Sequence, residues 1–225
     1  MADSYKIRGT KITSPYPVQL TPAEHRLIFS LPRVFAPENI LADCYFPKVD
    51  FRHQQIYDRS QANFDLATLR TLPGSEVVQI DCLALGPQGI FVFESKDYSG
   101  WIYGSGGQRY WTQCLNFGQE KHQFYNPVRQ NATHIAALDG LFPPSTPVYS
   151  ITVFGSDTVL KSISDLPPRC FVTLQPALRS LLSRLPHSPL LTADALATIR
   201  ANLAAARLLP TAITRTEHIS ALKGN

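Results

Sequence analysis

Two acids and a lysine, Asp81, Glu94 and Lys96, stand on either side of a short glycine-flanked turn. Carboxylates brought close together repel, and each drives the other's pKa up unless a cation lies between them. Mg²⁺ suits such a pair, with Mn²⁺ as its substitute, because it takes one or two carboxylates, keeps several waters and recruits phosphate oxygens. A lysine two residues beyond Glu94 would stabilise charge building on a phosphate or orient an attacking water. The backbone carbonyl of Ser95 offers a further metal ligand. The chemistry these residues could support is metal-assisted phosphodiester hydrolysis. The competing account is a solvated salt-bridge cluster on an ordinary sheet edge.

The elements that must position this set are two strands. Glu76–Leu85 and Ile90–Lys96 are rich in Val, Ile and Phe and are joined by Gly86-Pro-Gln-Gly89, a hairpin pattern. A loop centred on Pro87-Gln88 pairs residues whose numbers sum to 175. Asp81 then lies opposite Glu94 and Gln79 opposite Lys96, with directly paired Cβ atoms about 4.5–5.5 Å apart. One face would carry Gln79, Asp81, Glu94 and Lys96 at the open end, with Leu83, Leu85, Ile90 and Val92 near the turn. The other would carry Val78, Ile80, Cys82, Ala84, Phe91 and Phe93. A one-residue slip would mix the charges with the phenylalanines.

Around this hairpin the pattern alternates between helices and strands. Thr21 reads as an N-cap with Pro22 at the first helical position and Glu24 completing a capping box, and Pro32 ends that helix. Residues 39–46 read as a strand. Residues 48–74 are a long polar and aromatic insert, either functional or hiding a helix around Ser60–Leu72. A second hairpin is expected from Gly100–Tyr103 and Tyr110–Gln113. A helix runs from Asn126-Pro127 to about Leu141, stopped by Pro143-Pro144. Strands are expected at Val148–Phe154 and Cys170–Thr173, and helices at Leu174–Leu185 and Thr192–Leu209. The sum is an α/β fold with a mixed sheet flanked by helices. The expected division is an irregular arm over 1–21, one domain over 22–206 and a tail over 207–225.

Composition narrows the setting. A hydrophobic fraction of 44% argues against wholesale disorder, and a net charge of +4 is compatible with a polyanionic partner without requiring one. Cys44, Cys82, Cys114 and Cys170 are scattered with no C-x-x-C pair, which argues against a zinc ribbon or a disulfide-stapled secreted scaffold and fits a reducing compartment. The polar opening MADSYKIRGTK and the lack of a long apolar run lead to the expectation of a cytoplasmic protein with no membrane partner.

Three blocks carry a resemblance. Gln79-Ile-Asp81, then Gly89-Ile-Phe-Val-Phe-Glu94-Ser-Lys96-Asp-Tyr-Ser-Gly100, then Asn126-Pro127-Val-Arg-Gln130-Asn131 resemble the nuclease-related (NERD) domain family in order and spacing. That family belongs to the PD-(D/E)xK, restriction-endonuclease-like superfamily. The likeness runs over roughly residues 22–206, with Ala23 where the family's helix start has glycine and with the 48–74 insert as this chain's own feature. It implies a restriction-endonuclease-like fold and a metal-dependent nuclease, with DNA favoured over RNA and endonuclease or nickase action. Asp81 and Glu94 would bind Mg²⁺ or Mn²⁺, and Lys96 would act in catalysis. Gln130 is similar to the glutamine such nucleases place beside the active site. Glu24 is similar to a helix carboxylate that adds a ligand or orients water, and its plain alternative is the capping box alone. Arg109, Lys121, Arg129 and Asn131 are candidate nucleic-acid contacts; for the basic residues the alternative is solvated surface, for Asn131 helix capping. His134 reads as a surface histidine. The competing functions are a non-catalytic nucleic-acid-binding or scaffolding module on the same fold, or a subunit of a defence or mobile-element complex that cuts only with a partner. A homo-oligomer is compatible with all of these.

Overall fold

In the computed structural model the described residues are 20–47, 77–186 and 190–207, together with the backbone of 4–7, 10–13, 57–58 and 63–64. Within the expected arm, β1 (Ser4–Ile7) and β2 (Thr10–Thr13) pair antiparallel. The expected helix near 60–72 lies outside the described residues except at β5 (Asn63–Phe64), which pairs with β4 (Tyr57–Asp58).

The first helix among the described residues, α1 (Pro22–Ser30), begins as its capping box dictates. The Glu24 amide donates to Thr21 Oγ1 at 3.3 Å, and the Thr21 amide donates to Glu24 Oε2 at 2.6 Å. A 3₁₀ turn at Leu31–Arg33 ends it at Pro32, and a second, Pro37–Asn39, leads into β3 (Ile40–Pro47). The expected hairpin is β6 (Val77–Gly86) and β7 (Gly89–Lys96), with two residues at the tip. Gly89 has φ of +141°, and a Cβ there would meet the Pro147 carbonyl oxygen at 2.2 Å, so only glycine fits.

These strands belong to a five-stranded mixed sheet ordered β13-β11-β7-β6-β3, with β11 spanning Val148–Phe154 and β13 spanning Cys170–Leu174. Pairings within β3-β6-β7 are antiparallel, and β7-β11 and β11-β13 are parallel. One face is covered by α1 and by α3 (Leu178–Leu182): Leu27, Ile28, Leu31 and Leu182 pack on Phe91, Phe93, Ile151 and Val153. The other is covered by the end of α2 (Pro127–Ala136) and the turns after it, and by α4 (Ala193–Ala206): Leu138, Leu141, Ile199 and Leu203 pack on Leu83, Leu85, Ile90 and Val92. This is the restriction-endonuclease-like mixed sheet flanked by helices.

A second mixed sheet, ordered β10-β9-β8-β12, grows out of the end of β7. It holds β8 (Gly100–Ser105), β9 (Tyr110–Leu115), β10 (Glu120–Tyr125) and β12 (Thr158–Ser164). Its inner face places Ile102, Trp111 and Phe124 against Phe154, Val128 and Val172. Sequence reasoning did not anticipate β10 or β12. It also drew α2 and α3 too long: α2 gives way to turns after Ala136, and the segment before α3 is a 3₁₀ turn, Gln175–Ala177. Among the described residues no helix is long and apolar enough to cross a membrane.

Within the second sheet β8 and β9 pack tightly at Gly104, where a Cβ would fall 2.2–2.4 Å from the fully buried Trp111 ring. Gly104→Ala therefore forces backbone and indole apart. We expect it to lower stability by about 3 kcal/mol or more in urea unfolding, whereas Gly107→Ala, in open space, should change it little.

Candidate active site

The site forms where the first sheet loses its regular pleat. The β6–β7 ladder follows the 175 sum from Gly86↔Gly89 to Cys82↔Phe93 and stops there, one pair short of Asp81 and Glu94. The β3–β6 ladder runs from Ile40↔Ala84 to Ala42↔Cys82 and resumes at Cys44↔Ile80, leaving out Asp43 and Asp81. Asp43 has a positive φ of 47°, a conformation aspartate tolerates better than most residues.

Core membership shows the consequence. Val78 and Ile80 pack with Leu83, Leu85 and Val92, not with Cys82, Ala84 and Phe93 as strict alternation requires. Cys44 and Phe46 on β3 likewise lie on the side opposite Ile40. Both strands shift phase at an aspartate, so the expected face holding Val78 and Ile80 with Cys82 is corrected. Alternation assumes an unbroken ladder, and a break of this kind moves every residue beyond it to the other side.

At the break, Asp81 Oδ2 accepts a hydrogen bond from the Ser95 amide at 2.7 Å, taking the place of a ladder partner. Glu94, 2% exposed, points toward α2. Its Oε1 lies 2.7 Å from Lys96 Nζ, and Lys96 Nζ donates to Gln130 Oε1 at 2.9 Å. Glu94 Oε2 accepts no hydrogen bond among the described residues, and His134 Nδ1 stands 3.4 Å from it. The structure thus brings Asp81, Glu94, Lys96 and Gln130 together.

Gln130 is held in place by Asn126, which is fully buried. Asn126 Oδ1 accepts from the Val128 and Arg129 amides and so starts α2. Its Nδ2 donates to the carbonyls of Ser105, Gly106 and Gln108, binding the helix start to the β8–β9 turn.

Three sequence expectations change. Asn131 is not available to nucleic acid: it is fully buried, and its Nδ2 donates to Val92 O and Ser150 Oγ at 2.9 Å each. It clips α2 to the sheet, so Asn131→Ala should cost about 1–3 kcal/mol in denaturant unfolding. His134 is not a surface histidine; it is 5% exposed against Glu94. The spacing could have shown this, since residues four apart share a helix face and Gln130 faces Lys96. Asp43 went unremarked. It is 2% exposed, accepts from Gln79 Nε2 at 2.9 Å, and its backbone carbonyl accepts from Arg207 Nη2 at 3.0 Å. Arg109, Lys121 and Arg129 are exposed.

The electrostatics are those of crowded acids. Burial, then the Glu94 and Glu24 charges, push the Asp81 carboxyl well above the ordinary carboxylate range, against the Ser95 hydrogen bond and Lys96. Burial also raises Glu24, opposed by its Thr21 hydrogen bonds and assisted by Asp43 and Glu94. Glu24 is thus both a capping residue and a member of the acidic group. For Lys96, burial works to lower the pKa, but Glu94 and Asp81 outweigh it and the amine lies above its ordinary value. Among the described residues no three His, Cys, Asp or Glu side chains are arranged to hold a metal on their own. Two acids and a buried, unsatisfied carboxylate oxygen do fit a cation that keeps much of its water.

The model of the nuclease-related domain (NERD) family matches residues 37–155, more than half of the chain. An uncharacterized protein of Bacillus anthracis is 37% identical over 89 residues, which make up 40% of this chain and 41% of that relative. The chain therefore matches less than half the length of the curated relative. No solved structure matches it. With the matched span running from the 3₁₀ turn before β3 to just past the end of β11 and enclosing Asp81, Glu94, Lys96 and Gln130, the chain belongs to the nuclease-related domain family.

Proposed function

We propose that this chain is a Mg²⁺-dependent nuclease, with Mn²⁺ as an alternative metal, that hydrolyses phosphodiester bonds in DNA as an endonuclease or nickase. The observation that carries the reading is the convergence of Lys96 on Glu94 Oε1 and Gln130 while Glu94 Oε2 stays buried without a hydrogen bond from any described residue. Asp81, Glu94 and the Ser95 carbonyl would hold the metal, which when bound supplies Lewis-acid charge for the phosphate oxygens. The chain's own groups do the rest. Lys96, kept protonated by Glu94 and Asp81, places a positive charge where the scissile phosphate gains negative charge. Gln130 fixes the ammonium in orientation, and His134 buttresses Glu94 from the far side. Glu24, tied to Thr21, adds negative potential from α1. Arg109, Lys121 and Arg129 are exposed cations suited to phosphates outside the reacting centre.

The test incubates the full chain with supercoiled, linear and single-stranded DNA and with RNA, in Mg²⁺, Mn²⁺ or EDTA. Metal-dependent nicking of supercoiled DNA is the expected result. DNA binding without cleavage of any substrate in either metal would favour the non-catalytic module and overturn the reading.

A further inference from the structure

The outer face of the second sheet bears aromatic rings and cations that neither the core nor the acid cluster uses. Register fixes which side chains share it. Tyr110 pairs with Tyr125, Trp101 with Cys114, Cys114 with Lys121 and Tyr103 with Thr112, and paired residues point the same way. The alternate residues Ile102, Trp111 and Phe124 fill the inner core. The outer set therefore points away from the first sheet.

Its rings are available. Tyr110 and Tyr125 are 44% and 43% exposed and meet edge to face, 6.2 Å between centroids. Trp101 and Tyr103 are half-buried. Phe117, in the connection between β9 and β10, is 93% exposed on a backbone with φ of 56°, a costly placement for an apolar ring. The cations stand among these rings. Lys161 Nζ lies 4.6 Å from the Trp101 ring centre, the Arg109 guanidinium lies 5.4 Å from that of Tyr110, and Lys121 is exposed on the same face. By register, no outward-facing residue of β8, β9 or β10 is Asp or Glu.

Exposed rings interleaved with cations suit a polyanion whose bases are free to stack. Duplex DNA keeps its bases inside and would offer this face only phosphates, whereas an unpaired strand satisfies both features. We propose that this face binds single-stranded DNA, its bases on Tyr110, Tyr125, Trp101 and Phe117 and its phosphates on Lys121, Lys161 and Arg109. The choice of DNA rests on the proposed function. The face connects to the acid cluster, because Asn126 ties the turn bearing Arg109 to the helix that carries Gln130.

The experiment uses the full chain in EDTA, so that binding is read without cleavage, and a fluorescein-labelled oligothymidine of about 15 nucleotides. Tyr110→Ala/Tyr125→Ala should weaken binding at least about fivefold, while Tyr110→Phe/Tyr125→Phe, which keeps the rings, stays within about twofold. Lys121→Gln/Lys161→Gln should flatten the log–log salt dependence by about 0.7 per lysine. Should the alanine pair fail to fold, Phe117→Ala reads the same loss from a ring that supports little of the fold. Unchanged affinity in folded alanine variants would overturn the proposal. So would tighter binding of an oligouridine of equal length, or loss of self-association in the alanine pair with oligonucleotide affinity intact. A chain that binds as expected but cuts nothing in metal would retain this face and sink the catalytic reading instead.

Discussion

Lys96→Ala should lower cleavage of supercoiled DNA by at least about 10²–10³-fold, the usual effect of removing one positioned donor to a developing oxyanion. Asp81→Ala and Glu94→Ala should lower it at least as far, since each removes a proposed metal ligand. The lysine also has a structural part. Its ammonium sits 2.7 Å from Glu94 Oε1, whose side chain is 2% exposed, so truncation leaves a buried carboxylate without its cation. Breaking one side of a buried pair costs about 3–5 kcal/mol, so the alanine variant must be shown folded before its activity is read. Lys96→Gln keeps a donor for Glu94 or Gln130 without the charge. It should melt closer to the wild type and remain as inactive as Lys96→Ala. Full activity in folded Lys96→Gln would show that the ammonium does not act on the phosphate.

Asp81→Asn should remove cleavage and yet stabilise the metal-free protein. Burial, Glu94 and Glu24 hold the Asp81 carboxyl well above its ordinary range, so the folded state binds this proton more tightly than the unfolded chain does. The stability that follows is fully present below the unfolded pKa and is lost as pH rises through the folded pKa. Asparagine still offers an oxygen to the Ser95 amide but has no charge to lose. In EDTA the melting temperature of Asp81→Asn should therefore pull ahead of the wild type as pH is raised from mildly acidic to alkaline. The gap should reach several degrees, each 1 kcal/mol being worth roughly 2–4 °C in a chain of this size. Saturating Mg²⁺ should close the gap by stabilising the wild type alone. A wild type that outlasts Asp81→Asn across that pH range without metal would contradict the crowded-acid account.

Much of this site is legible in the sequence because it is local. The glycines around Pro87-Gln88 set the hairpin register, and the register brings Asp81 and Glu94 to the same end of the strands. Thr21 and Glu24 announce the start of α1, and Asn126-Pro127 that of α2. What escaped depends on contacts distant in sequence. The phase shift at Asp43 and Asp81 is a property of two strands together, and neither strand alone carries its pattern. Asn131 faces inward because Val92 and Ser150 are there to accept it, and His134 is buried because Glu94 faces the same side of α2. The strand Glu120–Tyr125 lacks apolar alternation: it lies at the sheet edge with most residues exposed, so its pairing with β9 holds it extended.

The central claim is that Asp81 and Glu94 serve one cation. Isothermal titration of metal-free protein with Mg²⁺, and again with Mn²⁺, tests it most directly. The account predicts a single saturable site per chain, lost in both Asp81→Asn and Glu94→Gln and retained in Phe117→Ala. Metal binding unchanged in both acid variants, or no saturable binding by the folded wild type, would contradict it.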